Sequence, residues 1–184
     1  MKPAAYNRTA IALHWLMAGL ILAALPLGLT MTELALSPTK LKLYAWHKWL
    51  GVTLFGLALV RVFWRLTHPA PALPATIPAW QQTAAHVLHG LLYVLMLAIP
   101  LSGWLMSSAK GFQTVYLGLL PIPDLLVKDA ALAETLAALH TTLNYGLIVL
   151  LLAHVGAALK HQWLERDAVL GRMLPWLNKA REAP

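Results

Sequence analysis

The stretch Leu136–Leu159, LAALHTTLNYGLIVLLLAHVGAAL, carries no charged side chain and stops at Lys160. A helix needs about 20 mostly apolar residues to cross the hydrocarbon of a bilayer, so this run reads as a membrane span. Two imidazoles interrupt it, His140 and His154, 14 residues apart. At 3.6 residues and 5.4 Å per turn that is close to four whole turns, which places both rings on one helix face about 21 Å apart. An ionisable side chain inside a span is costly and marks function.

Three further runs share this character. Thr9–Thr32, between Arg8 and Glu33, is free of charge. Tyr44–Leu66 has Lys48 near its start and Arg61 and Arg65 near its end. From Leu66 to Ala109 there is no Lys, Arg, Asp or Glu, but His68-Pro69-Ala70-Pro71-Ala72-Leu73-Pro74 is too proline-rich for a helix and reads as a loop. The third span is therefore Gln82–Ser107, with a kink expected at Pro100. The predicted fold is an all-α membrane protein, an antiparallel four-transmembrane-helix bundle with spans at about 9–32, 44–66, 82–107 and 136–159, forming a single domain over 1–184. The first run is too long for the apolar region of a signal peptide and lacks a small-x-small cleavage site.

Composition agrees. The 184 residues are 59% hydrophobic and 11% charged, against about 25% charged in a soluble domain, too little to coat a water-facing surface. The absence of cysteine excludes disulfides, iron–sulfur clusters, thiolate catalysis and covalent haem attachment. The net charge of +7 does not point to nucleic acid, because the basic residues stand at span ends and form no run interleaved with aromatics. They orient the chain instead. With the N-terminus inside, Lys2, Arg8, Arg61, Arg65, Lys160, Arg166, Arg172, Lys179 and Arg181 fall inside, and Lys40, Lys42, Lys48, Lys110 and Lys128 outside. Both termini are then cytoplasmic. Most of the eight tryptophans lie toward span ends, as in an aromatic belt. In the long outer loop Lys110–Thr135, Pro121-Ile122-Pro123-Asp124 suggests a turn, with a short interfacial helix to follow.

Depth pairs the histidines. His14 lies six residues beyond Arg8, and His154 six residues before Lys160, so they share the inner level. His47 and His140 both stand near the outer starts of their spans. Each pair, His14/His154 and His47/His140, suits bis-imidazole ligation of haem iron. A di-metal centre is the competing reading, but the spans lack the carboxylates such centres use. The six methionines are apolar filler rather than axial ligands. His86 and His89, three residues apart at the inner start of span three, are second in line for the inner haem or for a quinone headgroup, or else interfacial. His161, beside Lys160, is a candidate quinone donor or proton relay, or a surface histidine, and His68 faces solvent. Arg8, Arg61 and Arg65 stand where haem propionates need cations, although snorkelling to lipid phosphate accounts for Arg65. No side chain is assigned a catalytic role.

Several of these motifs together resemble the prokaryotic cytochrome b561 family: Asn7-Arg8, Leu13-His14-Trp15-Leu16, Trp46-His47-Lys48 with Gly51, Val60-Arg61-Val62-Phe63-Trp64-Arg65-Leu66 with the Pro-rich loop, Ala85-His86-Val87-Leu88-His89, His140, His154 and Lys160-His161. The resemblance runs from about Tyr6 to Pro175, and it extends more distantly to the cytochrome b subunits of membrane hydrogenases and formate dehydrogenases. It implies a four-helix core in the bacterial inner membrane, two haem b groups and electron exchange with ubiquinone. One branch acts as a superoxide oxidase, an oxidoreductase taking electrons from superoxide outside and reducing ubiquinone inside. By the same resemblance His14, His47, His140 and His154 match the axial ligands, and His89 and His161 match positions tied to the quinone end. Lys40, Lys42, Lys48 and Lys110 could steer an anion such as superoxide to the outer side. The alternative is an electron-transfer subunit serving a periplasmic or membrane redox partner protein. A transporter or purely structural reading finds no paired Gly/Pro interruptions to support it.

Overall fold

A computed structural model describes residues 6–74, 76–167 and 169–177. Lys2, Lys179 and Arg181, counted above for orientation, lie outside the described residues. Four long helices dominate: α1 (Arg8–Glu33), α2 (Pro38–Thr67), α3 (Ala79–Ala109) and α4 (Ala130–Lys160). Each is long and apolar enough to cross a membrane. Successive helices pack against one another, α1 on α2, α2 on α3 and α3 on α4.

The helices outrun the apolar stretches because capping residues extend them into polar sequence. Asn7 Oδ1 accepts from the Ala10 amide at the start of α1. Ser37 caps α2, with Pro38 in the first turn where a missing N–H costs nothing. Asp129 accepts from the Leu132 amide and starts α4 six residues before the predicted span. Beyond Lys160, α4 continues as a π-helical turn, His161–Glu165, and stops at Arg166 in the left-handed region. A 3-10 turn, Leu170–Arg172, then folds back beneath α1. Buried Arg172 donates to the Ala72 carbonyl of the Pro-rich loop, and the Trp15 indole donates to Met173.

The loop Lys110–Thr135 differs from its prediction. No interfacial helix follows Pro121–Asp124; instead β1 (Thr114–Tyr116) pairs antiparallel with β2 (Leu120–Ile122), so Pro121 and Ile122 lie in a strand. The turn is at Leu117-Gly118, both with positive φ, closed by the Leu119 amide on the Tyr116 carbonyl. This is the backbone of a primed hairpin turn, whose twist matches that of its strands.

Met17, Ile21 and Ala24 of α1, Leu54 and Ala58 of α2 and Leu147 of α4 form the main buried cluster. Large apolar side chains stand exposed on all four helices, among them Leu22, Phe63, Val94 and Leu152. An apolar surface of this extent is stable against lipid, not water.

Candidate functional site

Fourteen residues separate two positions of the histidine clusters on every helix: His14 and Gly28 on α1, His47 and Arg61 on α2, His89 and Gly103 on α3, His140 and His154 on α4. The interval returns each helix to the same face, so four helices build two levels with the apolar cluster between them.

At one level His47 faces His140, with ring centroids 6.3 Å apart and planes at 89°. The two glycines of this level make room for the rings. A Cβ on Gly28 would come within 2.9 Å of His47 Cε1, and one on Gly103 within 3.0 Å of His140 Cε1. Without those side chains His140 settles into the groove of α3. Its Nδ1 lies 3.0 Å from the Ile99 carbonyl, four residues before Gly103, and 3.0 Å from Ser102 Oγ. Donation from Nδ1 to the carbonyl leaves the Nε2 lone pair free. His47 sits against Gly28 in the same way and faces the Ala24 carbonyl, again four residues earlier, but its buried Nδ1 falls short of hydrogen-bond geometry. Both rings line a cavity of about 1530 Å³ that opens among α1, α2, α3, α4 and the hairpin.

At the other level His14 faces His154 at 6.1 Å and 65°. His89 is closer still to His154, at 5.3 Å, making a cluster of three imidazoles. Arg61 reaches in from α2. Its Nη2 lies 3.0 Å from His14 Nδ1, its Nε donates to Tyr93 Oη at 3.3 Å, and its guanidinium lies over the Tyr93 ring.

The remaining candidates are not brought into either level. Arg8 is exposed in the first turn of α1, and His86 is exposed near the start of α3. His161 lies seven residues beyond His154 and takes part in a separate group. Its Nδ1 is 2.6 Å from both Glu165 Oε2 and Asp167 Oδ2, while Lys160 bonds Glu165 at 2.7 Å. His68 stacks on Trp64 at 3.9 Å, out at the end of α2. The sequence reading missed Gly28 and Gly103, although each stands 14 residues from a histidine already singled out.

The spacing decides what the facing rings can hold. An imidazole nitrogen sits about 2.0–2.1 Å from a bound metal, so two rings gripping one metal from opposite sides place their centroids roughly 6 Å apart. Both pairs have that separation, and no carboxylate shares either level. The two pairs, the Gly-lined groove and the unpartnered His47 nitrogen fit a flat group that takes an imidazole on each face.

Membrane-length helices holding imidazoles face to face at two depths are the construction of a membrane b-type cytochrome. The sequence matches the family described as prokaryotic cytochrome b561 over residues 5–176. It is 35% identical over 174 residues to cytochrome b561 homolog 2 of Escherichia coli strain K12, covering 94% of this chain and 92% of that protein. It is 30% identical over 178 residues to cytochrome b561 homolog 1 of the same strain, covering 92% and 97%. A protein of Yersinia pestis named probable superoxide oxidase CybB is 27% identical over 180 residues, 92% and 96% of the two chains. The chain belongs to the prokaryotic cytochrome b561 family, and is a multi-pass bacterial membrane protein of electron transfer that binds b-type haem.

Proposed function

We propose that the chain is a dihaem cytochrome of the bacterial inner membrane that moves electrons from superoxide on the outer side to ubiquinone on the inner side. The observation that carries this reading is the pair of facing imidazole sets, centroids 6.1 and 6.3 Å apart, spaced 14 residues along α4. The bundle is antiparallel, forms one domain and has both termini in the cytoplasm, so the His14 level is inner and the His47 level outer. His14 and His154 would hold one haem b between their rings, and His47 and His140 the other.

Haem supplies an iron that accepts and returns one electron at a time. The chain's own residues orient and insulate it. At the outer level the Ile99 carbonyl holds His140 in the tautomer whose Nε2 lone pair would be free to hold an iron. At the inner level Arg61 donates to His14 Nδ1, which suits the opposite tautomer. Were His14 to hold a haem through Nε2, its Nδ1 would carry the proton, and Arg61 would donate instead to another acceptor, such as an anionic haem propionate to which its planar fork is matched. Arg8, exposed at the same end, is the second propionate cation. His89, next to His154 and reachable from outside the bundle, is placed to donate to a quinone carbonyl, with His86 one turn away. His161, held by two carboxylates, supplies protons from the inner surface. Two superoxide anions leave as two molecules of oxygen, and their two electrons with two protons convert ubiquinone to ubiquinol.

The test is a reduced-minus-oxidised spectrum of the purified protein with haem per chain, followed by stopped-flow mixing with superoxide and then with ubiquinone. The expected result is two low-spin b-type haems, one lost in H47A and the other in H14A, with superoxide reducing both and ubiquinone reoxidising them. A single haem, or loss of neither in the variants, overturns the ligation. Two haems that superoxide leaves oxidised would support the second reading, a cytochrome serving a redox partner protein.

A further inference from the structure

The hairpin β1–β2 belongs by sequence to a loop outside the membrane, yet its chemistry is that of a lipid-contacting element. From Gly111 to Pro123 there is no charged side chain, between Lys110 on one flank and Asp124 on the other. Its tip turns apolar side chains outward: Leu119 is 85% exposed, Leu120 58% and Leu117 54%. Its contacts also step along α2 in the direction of the bundle centre. The Phe112 carbonyl accepts from Lys48, the Val115 carbonyl from the Trp49 indole, and the Tyr116 hydroxyl pairs with Thr53 Oγ1. Thr53 stands one residue from buried Leu54, a member of the central cluster.

A sheet edge in lipid is stable only if its backbone polar groups find partners within the protein, and several outward groups here do. Phe112 also accepts from Ser107, Val115 is covered by Trp49, and Pro123 accepts from the Trp104 indole. Pro121, in the middle of β2, brings no N–H at all. Indoles of this kind anchor proteins at the level of the lipid headgroups. A water-exposed hairpin requires none of these devices.

We infer that the hairpin lies in the lipid interface at the His47/His140 end of the bundle, with Leu117, Leu119 and Leu120 in contact with acyl chains. Thr114, Val115, Gly118 and Ile122 line the cavity that holds His47 and His140, so the hairpin forms a wall between that cavity and the surrounding lipid. The occupant of the apolar face is lipid, continuous with the lipid-facing surfaces of the four helices.

The chain has no cysteine, so single-cysteine variants are direct probes. L119C and L120C, each at an exposed side chain, are spin-labelled in full-length protein in nanodiscs. Collision with oxygen is compared with collision with a water-soluble nickel chelate, using L152C as the lipid-facing reference and K128C as the charged-surface reference. An intact haem spectrum checks folding in each variant. Oxygen collisions exceeding nickel collisions several-fold at both tip positions, as at Leu152, are expected. Nickel accessibility equal to that at Lys128 overturns the inference, and makes the apolar tip a docking face for a soluble redox protein.

Discussion

At the scale of single residues, a glycine decides more than its size suggests. Exchanging helical glycine for alanine ordinarily gains up to about 1 kcal/mol from helix propensity, and Gly19, whose added Cβ would meet nothing within 4 Å, should show that gain. Gly103 should show the reverse. Its Cβ would sit 3.0 Å from His140 Cε1, and overpacking of this kind costs about 1–3 kcal/mol. With two haems held as proposed, G103A is therefore expected to lose the one at the His47/His140 level and keep the other, read as haem per chain falling by half, while G19A keeps both. The same logic applies to Gly28 beside His47. Arg61 offers a second residue-scale prediction. A fixed positive charge favours the reduced, less positive iron, so in the proposed dihaem protein R61Q should lower one of two midpoint potentials and leave the other in place. A drop of about 60 mV corresponds to a tenfold change for a one-electron couple, and redox titration followed at the haem absorption bands reads it; equal movement of both midpoints would count against a local role.

At the scale of elements, the membrane helices were legible and the elements joining them were not. Bilayer thickness demands an apolar run, and the run is visible whatever its neighbours. The ends are set by single caps: Asp129, an N-cap residue type that a search for apolar runs passes over, starts α4 six residues before Leu136. The cap is a prediction in itself. D129A removes the acceptor for the Leu132 amide, a change worth about 1 kcal/mol, and should lower the thermal midpoint in detergent by a few degrees with both haems still bound. The hairpin was illegible for a different reason: Leu117-Gly118 lacks the Asn-Gly signature, and two prolines masked the strand. Of the candidate site, the depth argument placed the facing pairs but not the neighbours that hold them. His140 depends on Gly103, Ser102 and the Ile99 carbonyl, all on a helix read only as apolar. His161, which reads from sequence as a quinone donor, a proton relay or a surface histidine, has Glu165 and Asp167 brought around it by the π-helical turn and left-handed Arg166, a local fold with no signature in composition.

At the scale of the molecule, the distribution of charge governs both orientation and approach. Both termini belong on the cytoplasmic side in the proposed topology, and a C-terminal reporter fusion active only in the cytoplasm tests it; activity only in the periplasm would invert the assignment of the two levels. On the opposite side the whole-surface field is weak, because Lys40, Lys42, Lys48, Lys110 and Lys128 are nearly balanced by Glu33, Asp124, Asp129 and Glu134. The cavity that holds His47 and His140 is not balanced: Lys40, Lys48 and Lys110 line it against Glu33 alone. Lys40 and Lys48 also spend hydrogen bonds on backbone carbonyls, of Thr32 and Leu34 and of Phe112 respectively, so their charges are fixed at the wall. An anionic donor is then drawn over short range only. The Debye length falls from about 30 Å at 0.01 M salt to about 10 Å at 0.1 M, which removes long-range steering but leaves attraction within the cavity mouth largely intact. The rate of haem reduction by superoxide should therefore fall less than about tenfold across that range, far short of the steepest electrostatically steered associations. K110Q should lower the rate at both salt concentrations, whereas K128Q, outside the cavity lining, should lower it at low salt alone. Equal effects of the two substitutions at both concentrations would mean that the whole surface, rather than the cavity mouth, gathers the donor.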